Sequence, residues 1–381
     1  MKPFLFTSVI AFFFSSCSVG KYAIGDNVTS ISSLRFIGEY DVPHKMQFKG
    51  TTVGGLSSID FDAKRNVYYL ISDDRSDINS ARFYTVKIFF DQNKMDSVQF
   101  IDVTSMKASN GLPYPNAKQD PYHTPDPEAL RYNSKTDQII WNSEGERIIK
   151  KDTIILENPA VTIINRNGNY IDTFPLPDLF KMHATENGPR RNGVFEGLSF
   201  ANNFKNIFVN LEEPLYEDGP RAGLNDSTGW IRIIKYDVKT KQPIAQYAYQ
   251  IDPVAYPAET PSAFKINGVP DILYFGNNKI LVTERTFSSG RQACVIKVYE
   301  ADMNGATDIS SNKSLKLEAA AKPLSKKLLL DMRSLGIYID NIEGATFGPT
   351  LPNGHRTLIF VSDDNFDSKE KTQFLLFEII P

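Results

Sequence analysis

The sequence predicts an all-β fold, a β-propeller with five four-stranded blades. Five segments, which begin about seventy residues apart, share one pattern: two short strands around a polar turn, ending in carboxylates. Further strand pairs follow these segments, and no long amphipathic helix pattern competes with them. The segments are GGLSSIDFDAKRNVYYLISDDRS from Gly54, PEALRYNSKTDQIIWNSEGER from Pro127, FEGLSFANNFKNIFVNLEEPL from Phe195, PDILYFGNNKILVTERTFSSG from Pro270 and IEGATFGPTLPNGHRTLIFVSDDNF from Ile342.

The ends of the chain predict how the ring closes. Only one strand, Thr372 to Ile380, follows the fifth segment, so its blade lacks an outer strand. The segment from Ile31 to Val42 has no other partner and can supply that strand, which also covers exposed edges. We therefore expect the two termini to share one blade. A sixth blade is the alternative, hidden in residues 254–269 or 310–330.

The composition is that of a soluble globular protein, with 41% hydrophobic and 23% charged residues among 381. An aromatic content of 12% favours β structure. The net charge of -3 leaves no basic field for nucleic acid, so we expect no nucleic-acid partner. We expect a monomer.

The first residues, MKPFLFTSVIAFFFSSC, have one lysine, an apolar run and small residues before Cys17, as in a secretory leader. This stretch resembles a bacterial lipoprotein signal with Cys17 as the lipidated residue; the alternative is a plain signal peptide. The predicted organisation is a leader over 1–17, a tether over 18–30 and one propeller domain over 31–381. We expect export and a lipid anchor in the bacterial cell envelope (outer membrane, periplasmic or surface-facing), with no other membrane contact.

The remaining thiol and the imidazoles form no metal-binding pattern. Cys294 is the only other cysteine, which leaves no disulfide framework, and we expect it to be a small buried residue. The four histidines lie far apart, without the spacing of a zinc site.

The carboxylates at the segment boundaries are expected to meet at one mouth of the channel. In a blade the second strand runs antiparallel to the first, so the start of one and the end of the other lie on the same face. The carboxylates at the beginnings of the segments are Glu128, Glu196, Asp271 and Glu343. Those at the ends of the second strands are Asp73, Asp74, Glu144, Glu146, Glu212, Glu213, Glu284, Asp363 and Asp364.

So many carboxylates repel one another unless a positive charge offsets them. Oxygen ligands suit a hard cation, and we expect Ca²⁺, with Mg²⁺ or Mn²⁺ less favoured. Arg75, Arg147 and Arg285 follow the same strands and could neutralise acids or hold an anionic substrate. The alternative is that these acids cap turns, as Asp commonly does at strand ends.

Several stretches resemble the phytase-like family known as "esterase-like activity of phytase": GGLSSIDFD, YYLISDDRSDINSARFYTV, DPEAL, NGVFEGLSF, DNIEGATFGP and TLIFVSDDNF. They span nearly the whole chain after the leader. The resemblance implies a propeller, export and hydrolysis of phosphate esters. β-Propeller phytases are similar but have six blades and a longer acidic motif, which only PDPEAL echoes here. The family's recurrent polar residues fall on Asp73, Asp74, Arg75, Glu128, Glu196, Asn341, Glu343, Asp363 and Asp364.

We therefore expect an exported, calcium-dependent hydrolase that acts on a small phosphate ester or related anionic ester. The sequence contains no GxSxG motif of the kind that would indicate a serine nucleophile. The alternative is a non-catalytic, lipid-anchored propeller that binds a ligand or a partner protein. The predicted roles are catalysis for Glu196, Arg75 and Arg285, metal binding for Asp73, Asp74, Glu128, Glu343, Asp363 and Asp364, and substrate binding for Arg147, Glu144, Glu212 and Asn341.

Overall fold

The computed structural model describes residues 30–225, 229–291 and 293–381. The predicted leader, including Cys17, lies outside these residues. The described residues form five four-stranded antiparallel sheets and two short hairpins. The five sheets are arranged in a ring, so the predicted five-bladed propeller is confirmed. In the described ranges, no helix combines the length and the apolar character needed to cross a membrane.

Two single-turn 3₁₀ helices, Asp178–Phe180 and Met332–Leu335, lie between blades. The strands are β1 (Ser33–Val42), β2 (Gln47–Phe48), β3 (Thr51–Thr52), β4 (Leu56–Asp62), β5 (Val67–Ser72), β6 (Arg82–Phe90), β7 (Met95–Ser105), β8 (Pro127–Asn133), β9 (Gln138–Ser143), β10 (Glu146–Lys150), β11 (Thr153–Glu157), β12 (Ala160–Asn165), β13 (Tyr170–Thr173), β14 (Phe195–Ala201), β15 (Asn206–Leu211), β16 (Trp230–Asp237), β17 (Pro243–Gln250), β18 (Lys265–Gly276), β19 (Lys279–Ser288), β20 (Val295–Asp302), β21 (Ser325–Asp331), β22 (Asn341–Thr350), β23 (Arg356–Asp363) and β24 (Thr372–Ile380).

In the first four blades the strands run from the channel outwards in chain order, and in the fifth blade β1 is the outer strand. The blades are β4-β5-β6-β7, β8-β9-β12-β13, β14-β15-β16-β17, β18-β19-β20-β21 and β22-β23-β24-β1. Neighbouring first strands contact each other around the channel: β4 with β8, β8 with β14, β14 with β18, β18 with β22 and β22 with β4. The hairpin β10-β11 is inserted between the second and third strands of the second blade and was not predicted.

The closing blade combines both ends of the described chain. β1 pairs antiparallel with β24, from Ser33 opposite Ile380 to Val42 opposite Thr372. Phe377 in β24 is completely buried, so this blade has a packed core. The predicted closure is confirmed. The segments proposed to hide a sixth blade contribute only β18 and β21, which belong to the fourth blade.

Local sequence explains why the first two strands of each blade fold back on each other. Asn66, Asp137 and Asn278 lie in the hairpin turns of three blades, with φ of 51°, 57° and 56°. Asn and Asp tolerate this left-handed conformation better than other residues with a Cβ atom. The second strands that follow are apolar and buried, as in β5 and β15, because neighbouring blades cover both of their faces.

A buried ion pair fills the middle of the channel. Arg131 in β8 donates to both carboxylate oxygens of Asp271 in β18, each at 2.8 Å. The Arg131 guanidinium also donates to the carbonyl oxygens of Leu198 at 2.6 Å and Ile59 at 2.8 Å. One side chain therefore ties together four of the five first strands. Arg131 lines a cavity at one end of the channel. It does not line the second cavity, at the other end, which is rich in carboxylates and is described below.

Candidate functional site

The channel opens at one mouth into a cavity of about 330 Å³ whose lining is dominated by carboxylates. Arg285 is the one arginine or lysine among the described residues that line it. Asn192, Asn341 and Asn365 add amide groups. The ten carboxylate residues are Asp73, Asp126, Glu128, Glu144, Glu196, Glu212, Asp340, Glu343, Asp363 and Glu370.

Three of these carboxylates lie in β-bulges of the first strands. In β14 the register shifts within Phe195–Leu198, which leaves Glu196 in the bulge. Glu128 in β8 and Glu343 in β22 occupy the equivalent positions. A bulge turns the side chain it contains away from the regular alternation of the strand. The three side chains thus point into the same cavity.

The fourth blade breaks this pattern, which corrects one expectation. Its bulge lies between Gly268 and Asp271, so Val269 occupies the position that corresponds to the three glutamates. Asp271 lies beyond the bulge, deeper in the channel, where it pairs with Arg131. Asp271 is therefore part of the structural ion pair and does not line the cavity. The first blade carries Ser57 in its bulge.

The ends of the second strands supply four more of the cavity's carboxylates. Asp73, Glu144 and Glu212 directly follow β5, β9 and β15, and Asp363 ends β23. In the fourth blade Arg285 in β19 lines the cavity instead of a carboxylate, and it pairs with Gly268 of β18 across the hairpin. A Cβ atom on Gly268 would lie 2.6 Å from Cγ of Glu212, so only glycine allows this approach. Glu284 faces away and accepts hydrogen bonds from Tyr249 at 2.7 Å and Asn267 at 2.8 Å.

The adjacent aspartates have different surroundings. Asp73 lines the cavity, whereas Asp74 accepts hydrogen bonds from three backbone N–H groups, those of residues 77–79, and from buried Arg82. Asp363 lines the cavity, whereas Asp364 accepts from the N–H of Gly55. The predicted metal residues Asp74 and Asp364 therefore hold turns. The capping interpretation applies to the second aspartate of each pair.

Glu144 and Glu196 lie close together, with one carboxylate oxygen of each within 4.8 Å of the other. Burial raises the pKa of Glu144 to about 8, and the charge of Asp126 adds to the rise. Burial and the charge of Glu144 raise the pKa of Glu196 well above its usual range. Val194 N–H donates to Glu144 at 2.6 Å, which fixes the position of this carboxylate. Two carboxylates at this separation require a shared proton or a cation.

Two groups of carboxylates converge closely enough to hold a metal ion. Asp126, Glu128 and Glu144 form one, with one oxygen from each within 4.8 Å of the others. Glu144, Glu196 and Glu212 form the second under the same limit. Glu144 belongs to both. These donors are all oxygen atoms, a set that suits a hard cation such as Ca²⁺.

Arg285 carries positive charge at the edge of the second group. Its guanidinium donates to Glu212 and to the amide oxygen of Asn341, each at 2.6 Å. Glu343 lies 3.7 Å from the same guanidinium. Burial alone would lower the pKa of Arg285, but the charges of Glu212 and Glu343 outweigh it, so the pKa lies above the usual range. Arg285 stays charged and faces the cavity.

The other two predicted arginines do not line the cavity. Arg75 donates to Asp126 at 3.0 Å and to Glu146 at 2.9 Å. It therefore positions Asp126, one of the cavity acids. Arg147 donates to backbone carbonyls, including that of His183 at 2.9 Å, and lies over the ring of Tyr216. Arg147 holds a loop outside the cavity.

Sequence reasoning did not single out several residues of the cavity. Asp126 stands two residues before Glu128 in the motif PDPE, where its position was a signal that could have found it. Asp340 directly precedes β22. Glu370 reaches the cavity from the loop between β23 and β24, and no motif marks it. The apolar residues Phe264 and Phe287 also lie in the lining, although the pattern of acids does not indicate them.

A family model described as "Phytase-like: Esterase-like activity of phytase" matches residues 51–366. This range includes all five first strands and every residue of the two carboxylate groups. No curated protein gives a significant match to the chain.

Solved propeller structures resemble the chain in fold only. An exo-β-1,3-galactanase from Phanerochaete chrysosporium is 9% identical, with a TM-score of 0.43 over 89% of this chain and 64% of that one. The Bombyx mori GH32 β-fructofuranosidase BmSUC1 is 8% identical, with a TM-score of 0.42 over 93% and 63%. The Pseudomonas aeruginosa periplasmic gluconolactonase PpgL is 9% identical, with a TM-score of 0.36 over 94% and 98%.

Proposed function

Because this chain belongs to the phytase-like family, whose model matches residues 51–366, we propose that it is a calcium-dependent hydrolase of a phosphate ester or related anionic ester. One observation carries the proposal: two carboxylate groups share Glu144 in a cavity that Arg285 also lines. Carboxylates by themselves repel an anionic substrate. A cation bound among them would offset part of this negative charge and would offer the anion a positive centre beside Arg285.

The two carboxylate groups are the places where we propose that calcium binds. Calcium accepts six to eight oxygen ligands in flexible geometry, whereas magnesium requires a strict octahedron and retains water. A cluster rich in buried carboxylates therefore favours calcium over magnesium or manganese. Asp126, Glu128, Glu144, Glu196 and Glu212 would hold the ion, which would supply positive charge that offsets the negative charge developing during ester cleavage. Glu144 contributes to both groups, so it contributes most to cation binding.

The chain's own residues orient the substrate and move the proton. Arg285 is held by Glu212 and Asn341 with its guanidinium in the cavity wall, where it can donate to the oxygens of an anionic group. Glu196, when ionised, takes a proton from the attacking water as a new P–O bond forms. The ester P–O bond breaks, and the leaving oxygen takes a proton from solvent through the open mouth.

We further propose that the protein acts outside the cytoplasm, attached to a membrane through lipid on Cys17. The leader sequence, with its apolar run before Cys17, supports this placement. The propeller itself then faces a solvent from which it can take up both calcium and substrate.

The test is phosphate release from inositol hexakisphosphate, nucleotides and 4-nitrophenyl phosphate, beside carboxylic esters, in calcium and in chelator. We expect phosphate release that requires calcium and is lost in Glu196→Gln. The matched control is Glu318→Gln, which changes an exposed glutamate outside the cavity in the same way. Hydrolysis of carboxylic esters in chelator would overturn the proposal. Tight ligand binding without turnover of any ester would support the binding module instead.

A further inference from the structure

One side of the acidic cavity is apolar. Phe264, Ile266, Phe287 and Cys294 line it, and all four come from the fourth blade or from segments that flank it. The carboxylates of the cavity come from the other four blades and from their connecting loops. The fourth blade instead contributes Arg285, the cation of the lining, together with this apolar side. The cavity thus has two chemically different walls.

The apolar wall arises because the first hairpin of the fourth blade is longer than its counterparts. β18 has 12 residues, whereas β4, β8 and β14 have 7 each and β22 has 10. Three of the five residues by which β18 exceeds β14 lie at the mouth, where residues 265–267 pair with residues 286–288. Ile266 is directly opposite Phe287 in this extension. The hairpin therefore rises beyond the carboxylates and carries its apolar side chains with it.

The positive charge and the aromatic ring lie on the same face of β19. Arg285 and Phe287 are two residues apart in one strand, and alternation places such residues on the same side. Two residues of strand span about 7 Å. A phosphate group on Arg285 therefore holds whatever it is esterified to within reach of Phe287.

Phe264 extends this wall and leaves an aromatic surface uncovered. Its ring centroid lies 6.1 Å from that of Phe287, and its side chain is 53% exposed. The Ser289 N–H donates to the Phe264 carbonyl oxygen at 2.9 Å, which fixes the backbone beside the hairpin. An aromatic pair that faces a cavity can bury further apolar surface when a ligand binds, and flat rings pack well against it. Inositol hexakisphosphate has no apolar group that could use this wall.

We propose that the substrate is a phosphate monoester of an aromatic alcohol, with its ring against Phe264 and Phe287 and its phosphate towards Arg285. The assignment of the reaction rests on the proposed function, whereas the assignment of the aromatic group rests on the apolar wall. Phe264 is a substrate-binding residue in this arrangement. It determines which esters bind and takes no part in proton transfer.

The kinetic test compares 1-naphthyl phosphate with glycerol 2-phosphate in saturating calcium. In Phe264→Ala we expect KM for 1-naphthyl phosphate to rise about tenfold, the loss typical of one aromatic contact with its buried area. We expect KM for glycerol 2-phosphate and kcat for both esters to be unchanged. Phe264→Trp should restore the low KM. Phe89→Ala is the control, because Phe89 is 46% exposed but lies outside this cavity.

A binding measurement separates failure of this inference from failure of the proposed reaction. Isothermal titration of the calcium-loaded protein with 1-naphthylphosphonate and methylphosphonate requires no turnover. We expect the naphthyl compound to bind about tenfold more tightly, with the difference lost in Phe264→Ala. Equal affinities, or an equal loss for both compounds in Phe264→Ala, would overturn the aromatic assignment even if phosphate esters are hydrolysed. The expected preference without any hydrolysis would leave the wall as a binding site and reject only the reaction.

Discussion

One carboxylate oxygen of Glu144 lies within 4.8 Å of one of Glu196 at the mouth of the channel, although the two residues lie in different blades. Glu144 follows the second strand of the second blade, and Glu196 lies in the bulge that begins the third. Such a contact is stable only when one of the two carries a proton or when a cation neutralises them. Protonation of this pair and binding of a cation to it are therefore alternative ways to neutralise the site.

This contact predicts how stability depends on pH in the absence of metal. Burial raises the pKa of Glu144 to about 8 in the folded protein, and its unfolded value is near 4.5. Between these values the folded state binds more protons than the unfolded state, so the free energy of unfolding decreases as pH rises. We expect the melting temperature in chelator to fall from pH 5 to pH 8 and the fall to be smaller in Glu144→Gln. Melting temperatures that are independent of pH over this interval would contradict the prediction.

Calcium should stabilise the folded protein by mass action. At one hundred times the dissociation constant the expected gain is about 2.7 kcal/mol for a ligand that binds only the folded state. Glu144→Gln should remove most of this gain, because Glu144 belongs to both carboxylate groups. Asp73→Asn and Asp363→Asn should reduce it less, because these residues line the cavity but belong to neither carboxylate group. Calorimetric melting over a range of free calcium provides the measurement.

The matched control for calcium is Asp364→Asn. Asparagine keeps the oxygen that accepts the Gly55 N–H, and Asp364 does not line the cavity. We expect its calcium gain to equal that of the parent. A calcium gain that is the same in Glu144→Gln and in the parent would argue against binding at the paired carboxylate groups.

Arg285 and Arg356 provide a test of anion binding with two arginines of one channel. Arg285 lines the acidic cavity, whereas Arg356 lines the cavity at the opposite end, where burial lowers its pKa to about 10. Loss of one well-placed electrostatic contact typically costs on the order of 10²–10³ in turnover. We therefore expect Arg285→Gln to reduce phosphomonoester turnover by about that factor and Arg356→Gln to leave it unchanged. Similar turnover rates for the two variants would show that Arg285 does not bind the substrate.

The closing blade should be essential for a stable ring. β1 covers the edge of β24, and Phe377 in β24 packs in the buried core of this blade. Deletion of residues 374–381 or 31–42 should abolish cooperative unfolding, because either cut leaves an open sheet edge. Phe377→Ala should cost about 3–5 kcal/mol, as is typical of buried aromatic residues. A truncated chain that melts cooperatively at the parent temperature would show that the ring closes without this blade.

The predicted leader can be tested on the whole chain expressed in a bacterial host. If Cys17 is lipidated after cleavage, the mature protein begins at Cys17, carries the mass of acyl chains and sediments with membranes. Cys17→Ser should release the protein into the soluble fraction without changing its melting temperature. Mass spectrometry of the amino-terminal peptide distinguishes this result from cleavage by an ordinary signal peptidase.

Most of the fold was predictable because its signals are local. Each blade repeats the same order of apolar strand, polar turn and apolar strand, and turn residues such as Asn66 and Asn278 mark the hairpins. The unpaired strands at the two ends predicted the closing blade. The hairpin β10-β11 was missed because an extra strand pair inside one blade breaks the repeat without altering the pattern on either side.

The candidate site was predictable only in part, because one residue of register decides where a side chain points. Successive side chains in a strand face opposite sides, and a bulge shifts this alternation by one. Asp73 consequently faces the cavity, while its neighbour Asp74 accepts hydrogen bonds within a turn. Arg285 faces the cavity, while Glu284 faces away. The sequence alone does not distinguish the residue of each neighbouring pair that faces the cavity from the one that faces away.

The sequence by itself therefore determined the all-β class, the number of blades, the closure and the family, since each depends on patterns within short stretches of chain. Only the tertiary structure decided which carboxylates converge, because the ring brings Glu144 from one blade to Glu196 and Glu212 of the next, with one oxygen of each within 4.8 Å of the others. It also decided that Asp271 belongs to the Arg131 ion pair. The physical reason is that the positions of bulges and the lengths of hairpins, such as that of β18 and β19, depend on contacts between neighbouring blades.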